Sequence, residues 1–193
     1  MERLPVSRYY LFAALAIAGA IVDLWSKHAV FHWPALPWGN TYWIWAQHVG
    51  LQKSLNEGAL FGMGQGMVWL FAAISITAAI AIPIWLFRLG AAQDIWLTVA
   101  LGCVMAGIVG NLYDRLGLSG ETWPEPLPRA GEQAYAVRDW ILLQWNDRWQ
   151  WPNFNLADSF LVAGACLLIV HTFRQPASRA ITTTEAGEER KTS

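Results

Sequence analysis

Over most of this chain the apolar positions run together instead of alternating with polar ones. Four such runs, residues 9–31, 67–87, 95–113 and 155–173, come close to or exceed the roughly 20 residues that a helix needs to cross a bilayer. The second run carries no charge, and Pro83 near its end predicts a kink. The first is interrupted only by Asp23 and Lys27. Arg3, Arg8 and the small residues of "AIAGA" at 16–20 imitate a cleavable leader, but three more spans follow, so the first run is read as an uncleaved anchor. The pattern predicts an all-α integral membrane protein with four transmembrane helices. Residues 1–174 form one membrane domain, and the polar tail 175–193, rich in Thr and Glu, is expected to be disordered.

Four spans put the two long connections, residues 32–66 and 114–154, on one side of the membrane and both termini on the other. "TYWIWAQHVGLQ" mixes aromatic and β-branched residues with polar ones, as a short strand does. "NEGALFGMGQG" has four glycines in eleven residues, which lets the backbone bend sharply or approach a ligand closely. "SGETWPEPLPRAGE" reads as an irregular loop, "AYAVRDWILLQW" as a strand or an interfacial helix, and "QWNDRWQWPNF" as a polar linker. Together they predict a small extramembrane cap of strands and loops.

Composition sharpens this picture. The chain is 55% hydrophobic and 14% charged, and its thirteen tryptophans suit a membrane–water interface. A net charge of −1 offers no basic face for nucleic acid. Lys and Arg divide almost evenly between the two sides. The short ends and the "FRLGAAQD" turn weigh most and place both termini in the cytoplasm. Cys103 and Cys166 lie in apolar runs and are expected to be buried thiols, not a disulfide framework.

The polar groups inside or at the rim of the spans are the candidates for chemistry. Asp23 and Lys27 share a helix face at i, i+4, as a structural ion pair or as part of a site. Asn111, Asp114 and Arg115 stand in "GIVGNLYDRL", behind Gly107 and Gly110, whose small size allows close helix packing. There Asp114 can pair with Arg115 or another arginine. Asn56 in "LNEGALFG" is a turn residue or an amide that holds substrate. Asn155 can cap the fourth helix, which puts Asp158 at the third helical position, where an acid complements the positive helix end. A plain capping acid is the ordinary explanation of Asp158. A second carboxylate changes it: Asp139, 19 residues earlier in "VRDWI", lies on the same side of the membrane. Two acids at the edge of a low-dielectric phase can share one proton and activate a water molecule for peptide hydrolysis. His28 and His32 have helical ligand spacing but no third ligand pattern, so no metal site is assigned. No serine has a paired base pattern, and no phosphate-binding loop appears.

These blocks resemble the lipoprotein signal peptidases, or signal peptidase II family. "DLWSK" is similar to the family's Asp-x-x-x-Lys, "NEGALFG" to its Asn-x-Gly-Ala-x-Phe block and "GNLYDRL" to its Gly-Asn-x-x-Asp-Arg block. "VRDWI" and "FNLADS" resemble the two blocks that hold its catalytic aspartates. The resemblance implies an aspartic endopeptidase of the bacterial inner membrane, with its cap and active site on the periplasmic side. Its catalytic pair would be Asp139 and Asp158. Asn56, Gly58, Asn111, Asp114, Arg115 and Asn155 would shape the site or hold substrate, supported by Asp23 and Lys27. It would remove the signal peptide from a prolipoprotein just before a diacylglyceryl cysteine. No metal or organic cofactor is implied. The implied partners are the prolipoprotein and membrane lipid, with no nucleic acid and the chain as a monomer. The competing readings are a small ion-coupled carrier and a non-catalytic four-span protein; the acids clustered at one face argue against the carrier. One departure stands out. Asp114 and Asp139 are 25 apart, with an apparent insertion of roughly fifteen residues at about 117–135, which a surface loop tolerates. Asp114 therefore stays open as the alternative partner of Asp158. Asp139 is preferred because Arg115 beside Asp114 would keep that acid ionised.

Overall fold

A computed structural model describes residues 3–58, 63–146 and 148–174. Among these, four helices are long and apolar enough to cross a membrane. Helix α1 spans Val6–Phe31, α2 Val68–Pro83, α3 Ile95–Arg115 and α4 Leu156–Arg174. The first begins three residues before the run read from the sequence, since Pro5 is extended and its carbonyl accepts the Arg8 N–H at 3.0 Å. In the second, Pro83 has no N–H to give to the ladder, and Ile84–Arg88 continue as a π turn. Asp94 caps α3 by accepting from the N–H groups of Trp96 and Leu97. The expected disordered tail, 175–193, lies outside the described residues.

Helix α3 is the centre of the bundle, and small residues let its neighbours close on it. A Cβ at Gly107 would meet the Ala157 carbonyl of α4, and one at Gly110 would meet the Asp23 carboxylate of α1. A Cβ at Gly19 of α1 would lie 2.6 Å from Ala106 of α3. The two cysteines do not follow the expectation of burial. Cys103 is partly covered, and Cys166 faces outward from the bundle. A lipid-facing surface is as apolar as the interior, so an apolar run does not reveal which side of a helix is covered.

The cap is a four-stranded antiparallel sheet in the order β1-β2-β3-β4, with β1 Tyr42–Trp45, β2 Val49–Asn56, β3 Val137–Asn146 and β4 Trp149–Phe154. It is larger than the sequence predicts. The one expected strand is a hairpin that turns at Gln47, whose φ of 60° is unusual for a residue other than glycine. "AYAVRDWILLQW" supplies β3, and the supposed linker supplies β4. Pro152 is tolerated in β4 because that strand lies at the sheet edge.

Four buried charges tie the sheet to the helices. Lys27 Nζ lies 2.8 Å from Asp23 Oδ2 and 3.1 Å from Asp114 Oδ2, with all three side chains fully buried. Lys27 also donates to Asn111 Oδ1 at 3.0 Å. Asp114 accepts the Arg138 backbone N–H at 3.1 Å and its Nε at 2.9 Å, and Arg138 is itself buried. Asp23 Oδ1 accepts the Ala157 N–H at 2.8 Å, in the first turn of α4. Two acids and two bases thus neutralise one another across α1, α3 and β3, and a backbone bond extends the cluster to α4. Of the two pairings left open for Asp114, Arg115 or another arginine, the second forms, with Arg138; Arg115 donates to the Gly58 carbonyl at 3.3 Å. Successive residues of a helix point about 100° apart, so sequence neighbours diverge.

Removing one member strands the others in an apolar interior. Lys27→Met is expected to cost about 3–5 kcal/mol, the scale for breaking a buried ion pair from one side. Thermal or denaturant unfolding of the detergent-solubilised chain measures it. An unchanged unfolding midpoint would mean that the cluster carries no stability.

Candidate active site

Asp158 arrives by way of a helix cap. Asn155 Oδ1 accepts the Asp158 N–H at 2.9 Å, and Asp158 Oδ2 accepts the Asn155 N–H at 3.3 Å. This reciprocal pair is a capping box, with the acid at the third helical position as the sequence predicts. The other oxygen, Asp158 Oδ1, accepts Asn111 Nδ2 at 2.8 Å. The acid is therefore both a cap and a member of a wider polar network.

Asp139 arrives by way of strand register. Ser54 lies opposite Asp139 in the β2–β3 ladder, and Asn56 is two residues further along the same face of β2. A diagonal neighbour at that distance is within reach of an amide. Asn56 Nδ2 donates to Asp139 Oδ2 at 3.1 Å, while Asn56 Oδ1 accepts the Gly58 N–H at 2.9 Å and fixes the turn that follows. Asn155 Nδ2 donates to Asp139 Oδ1 at 2.6 Å and also reaches Asn111 Oδ1 at 3.1 Å. One fully buried asparagine thus bonds to both carboxylates, one through its amide and the other through its cap.

Both acids line a cavity of about 270 Å³ together with Asn56, Gly58, Asn111 and Arg115. Its walls also include Val137, Pro152 and Asn153 of the sheet, and Leu161 and Val162 of α4. These five escaped the sequence reading. Leu161 and Val162 lie one turn beyond Asp158, a spacing that could have marked them; nothing in the sequence singles out the others. Asp23, Lys27 and Asp114 do not line the cavity: they lie behind it, in the buried ion cluster. The alternative of Asp114 as partner to Asp158 is accordingly not what the geometry offers. Arg138, also overlooked, is the missing partner of Asp114, and an arginine in the apolar stretch "AVRDWI" was its signal. A larger hollow of about 910 Å³ lies at the far end of the sheet among Trp45, Trp145, Trp149 and Trp151, and among the described residues no carboxylate lines it.

Burial is the main influence on Asp139, and the charge of Asp158 acts in the same direction. Together they push its carboxyl from 3.8 up to about 8, against the opposing pull of the Asn56 and Asn155 amides and of Lys27. At neutral pH Asp139 holds a proton. A neutral acid facing a second carboxyl across a small, partly apolar cavity can polarise a carbonyl while its neighbour accepts a proton.

A family model described as signal peptidase (SPase) II matches residues 15–174. The lipoprotein signal peptidase of Rhodopirellula baltica is 52% identical over 170 residues, covering 88% of this chain and 74% of its own. That of Pseudomonas syringae pv. tomato is 32% identical over 173 residues, covering 88% and 78%. A solved bacterial membrane enzyme superposes with a TM-score of 0.71 over 92% of this chain and 95% of its own; at 22% identity it bears on the fold alone. The matched segment begins inside α1, takes in the sheet and both acids, and ends with α4: the chain belongs to the signal peptidase II family.

Proposed function

We propose that this chain is an aspartic endopeptidase that removes signal peptides from diacylglyceryl-modified prolipoproteins, cutting just before the lipidated cysteine. The observation that carries the reading is the convergence of Asp139 and Asp158 on one cavity, joined through Asn155; burial, which raises the Asp139 carboxyl, supports a shared proton. Family membership supports the reaction, and the relatives' name, lipoprotein signal peptidase, supports the substrate. Leu161 and Val162 in the cavity wall, on a helix apolar enough to span a bilayer, favour a substrate with an acyl chain beside the scissile bond. The chain sits in the bacterial inner membrane, with both termini cytoplasmic and the sheet and cavity facing the periplasm.

In the proposed chemistry Asp158 takes a proton from a water molecule as the water oxygen attacks the scissile carbonyl carbon. Asp139 hands its proton to the developing oxyanion. Collapse returns that proton to Asp139 and breaks the C–N bond, while the proton held by Asp158 passes to the departing amine. Arg115 lines the same cavity and supplies a fixed cation beside the negative charge. Asn111 and Asn155 orient the two carboxyls; Lys27 holds Asn111 in turn.

Replacing Asp139 or Asp158 by Asn is expected to lower kcat/KM by about 10²–10⁴-fold, the scale of a general acid or base. Cleavage of a diacylglyceryl prolipoprotein by the purified variants measures this, with an unfolding curve as control for folding. Full activity in both variants would remove the proposal.

The proton on Asp139 also fixes a pH dependence. The native chain holds it above 3.8, where the unfolded chain releases it, up to about 8. The stabilisation from this group is therefore fully present below 3.8 and is lost as pH rises through about 8. Activity is expected to fall on the same alkaline side, where the proton leaves. Asp139→Asn should flatten the decline of stability between these limits. An activity profile that stays level well above pH 8 would contradict a protonated Asp139.

A further inference from the structure

The segment at 117–135 is not an irregular strap. It closes on itself as a small hairpin through Trp123 N–H to Glu132 O at 2.9 Å, Gly131 N–H to Trp123 O at 3.0 Å and Ala134 N–H to Glu121 O at 2.8 Å. Ala134 and Ala136 are fully buried at its base, and Gln133 Nε2 donates to the Gly117 carbonyl at 2.9 Å. This frame presents one cation. The Arg129 guanidinium lies 4.8 Å from the centre of the Trp123 ring, which orients it. Its Nη1 donates to Glu57 Oε1 at 2.8 Å, across 72 residues of sequence, and its Nε reaches Glu132 at 3.5 Å.

Glu57 stands between two cavity-lining residues. On one side, Asn56 donates to Asp139; on the other, the Gly58 carbonyl accepts from Arg115. Whatever holds Glu57 also holds that turn. An ion pair this open to solvent adds little to global stability, and the Arg129 side chain is 46% exposed. Its leverage is geometric, because a displacement of about 1 Å at a reacting group can cost far more in rate than in folding energy.

We propose that Arg129 is a positioning residue: through its ion pair to Glu57, the hairpin clamps the Asn56–Gly58 turn and so holds Asn56 on Asp139. The inference rests on the two-carboxylate reading above. The groups facing Asp139 are Lys27 from α1, Asn56 from β2, and Asn155 and Asp158 at the start of α4, with Arg115 from α3 in the same cavity. Arg129 would therefore act on Asp139 through Asn56.

The test uses the purified full chain in detergent and a synthetic peptide carrying a diacylglyceryl cysteine. Arg129→Ala and Glu57→Ala are each expected to lower kcat by roughly three- to fivefold with KM unchanged, the size that a part-exposed ion pair supports. Both should move the alkaline limb of activity upward, since the Asn56 amide favours the ionised form of Asp139. The swapped pair Arg129→Glu with Glu57→Arg should recover most of the rate. In an Asn56→Ala background, Arg129→Ala should add neither a loss nor a pH shift, while Glu132→Gln should behave as the parent. Parental kinetics in Arg129→Ala, losses that multiply with Asn56→Ala, or losses that follow a lowered unfolding temperature would each overturn the clamp. Asp139→Asn and Asp158→Asn are assayed in parallel. If they still cleave, it is the two-carboxylate reading that fails; if they are dead while Arg129→Ala is unaffected, only the clamp fails.

Discussion

Buried charges need partners, and this molecule is arranged around meeting that need at one place. Asp23, Lys27, Asp114 and Arg138 come from α1, α3 and β3, and sum to zero charge in a buried interior. In a low-dielectric interior such a set is tolerated only when every member is paired. Shifting any of these elements would separate a pair, so the cluster fixes the sheet on the bundle. It also fixes the chemistry. Side chains alternate along a strand, so with Arg138 held to Asp114, Asp139 turns toward the opposite face, into the cavity. A structural ion cluster and a candidate catalytic acid occupy adjacent positions because the strand's two faces serve different purposes.

Asp158 shows a second economy. A helix start leaves backbone N–H groups without partners, and an asparagine followed three residues later by an acid satisfies two of them. That arrangement leaves the carboxylate rigid at the helix mouth. The plain capping role and the chemical role are thus compatible, and the network through Asn155 and Asn111 lets one side chain perform both.

Much of this was legible in the sequence, for reasons that differ by residue. Long apolar runs located the helices because a bilayer filters composition so strongly. Asp23 with Lys27, and Asn155 with Asp158, follow helical periodicity, which depends only on local geometry. Gly107 and Gly110 announced a close approach but not the neighbours they approach. The Asp114–Arg138 pair spans a 24-residue separation, so the sequence allowed a second arginine as partner without saying which one. The sheet was underread because β4 carries a proline, which argues against a strand, and the β1–β2 turn at Gln47 lacks the usual Gly or Pro signal. The hairpin at 117–135 looked shapeless because its order comes from backbone bonds, which composition does not report.

The passage from β4 into α4 has only Asn155 between strand and helix. That junction therefore behaves as a counting device. An added or deleted residue there would turn all of α4 by about 100° relative to the strand, carrying Asp158 off the cavity and the Ala157 N–H away from Asp23. The joint before α4 thus admits changes of side chain but none of register.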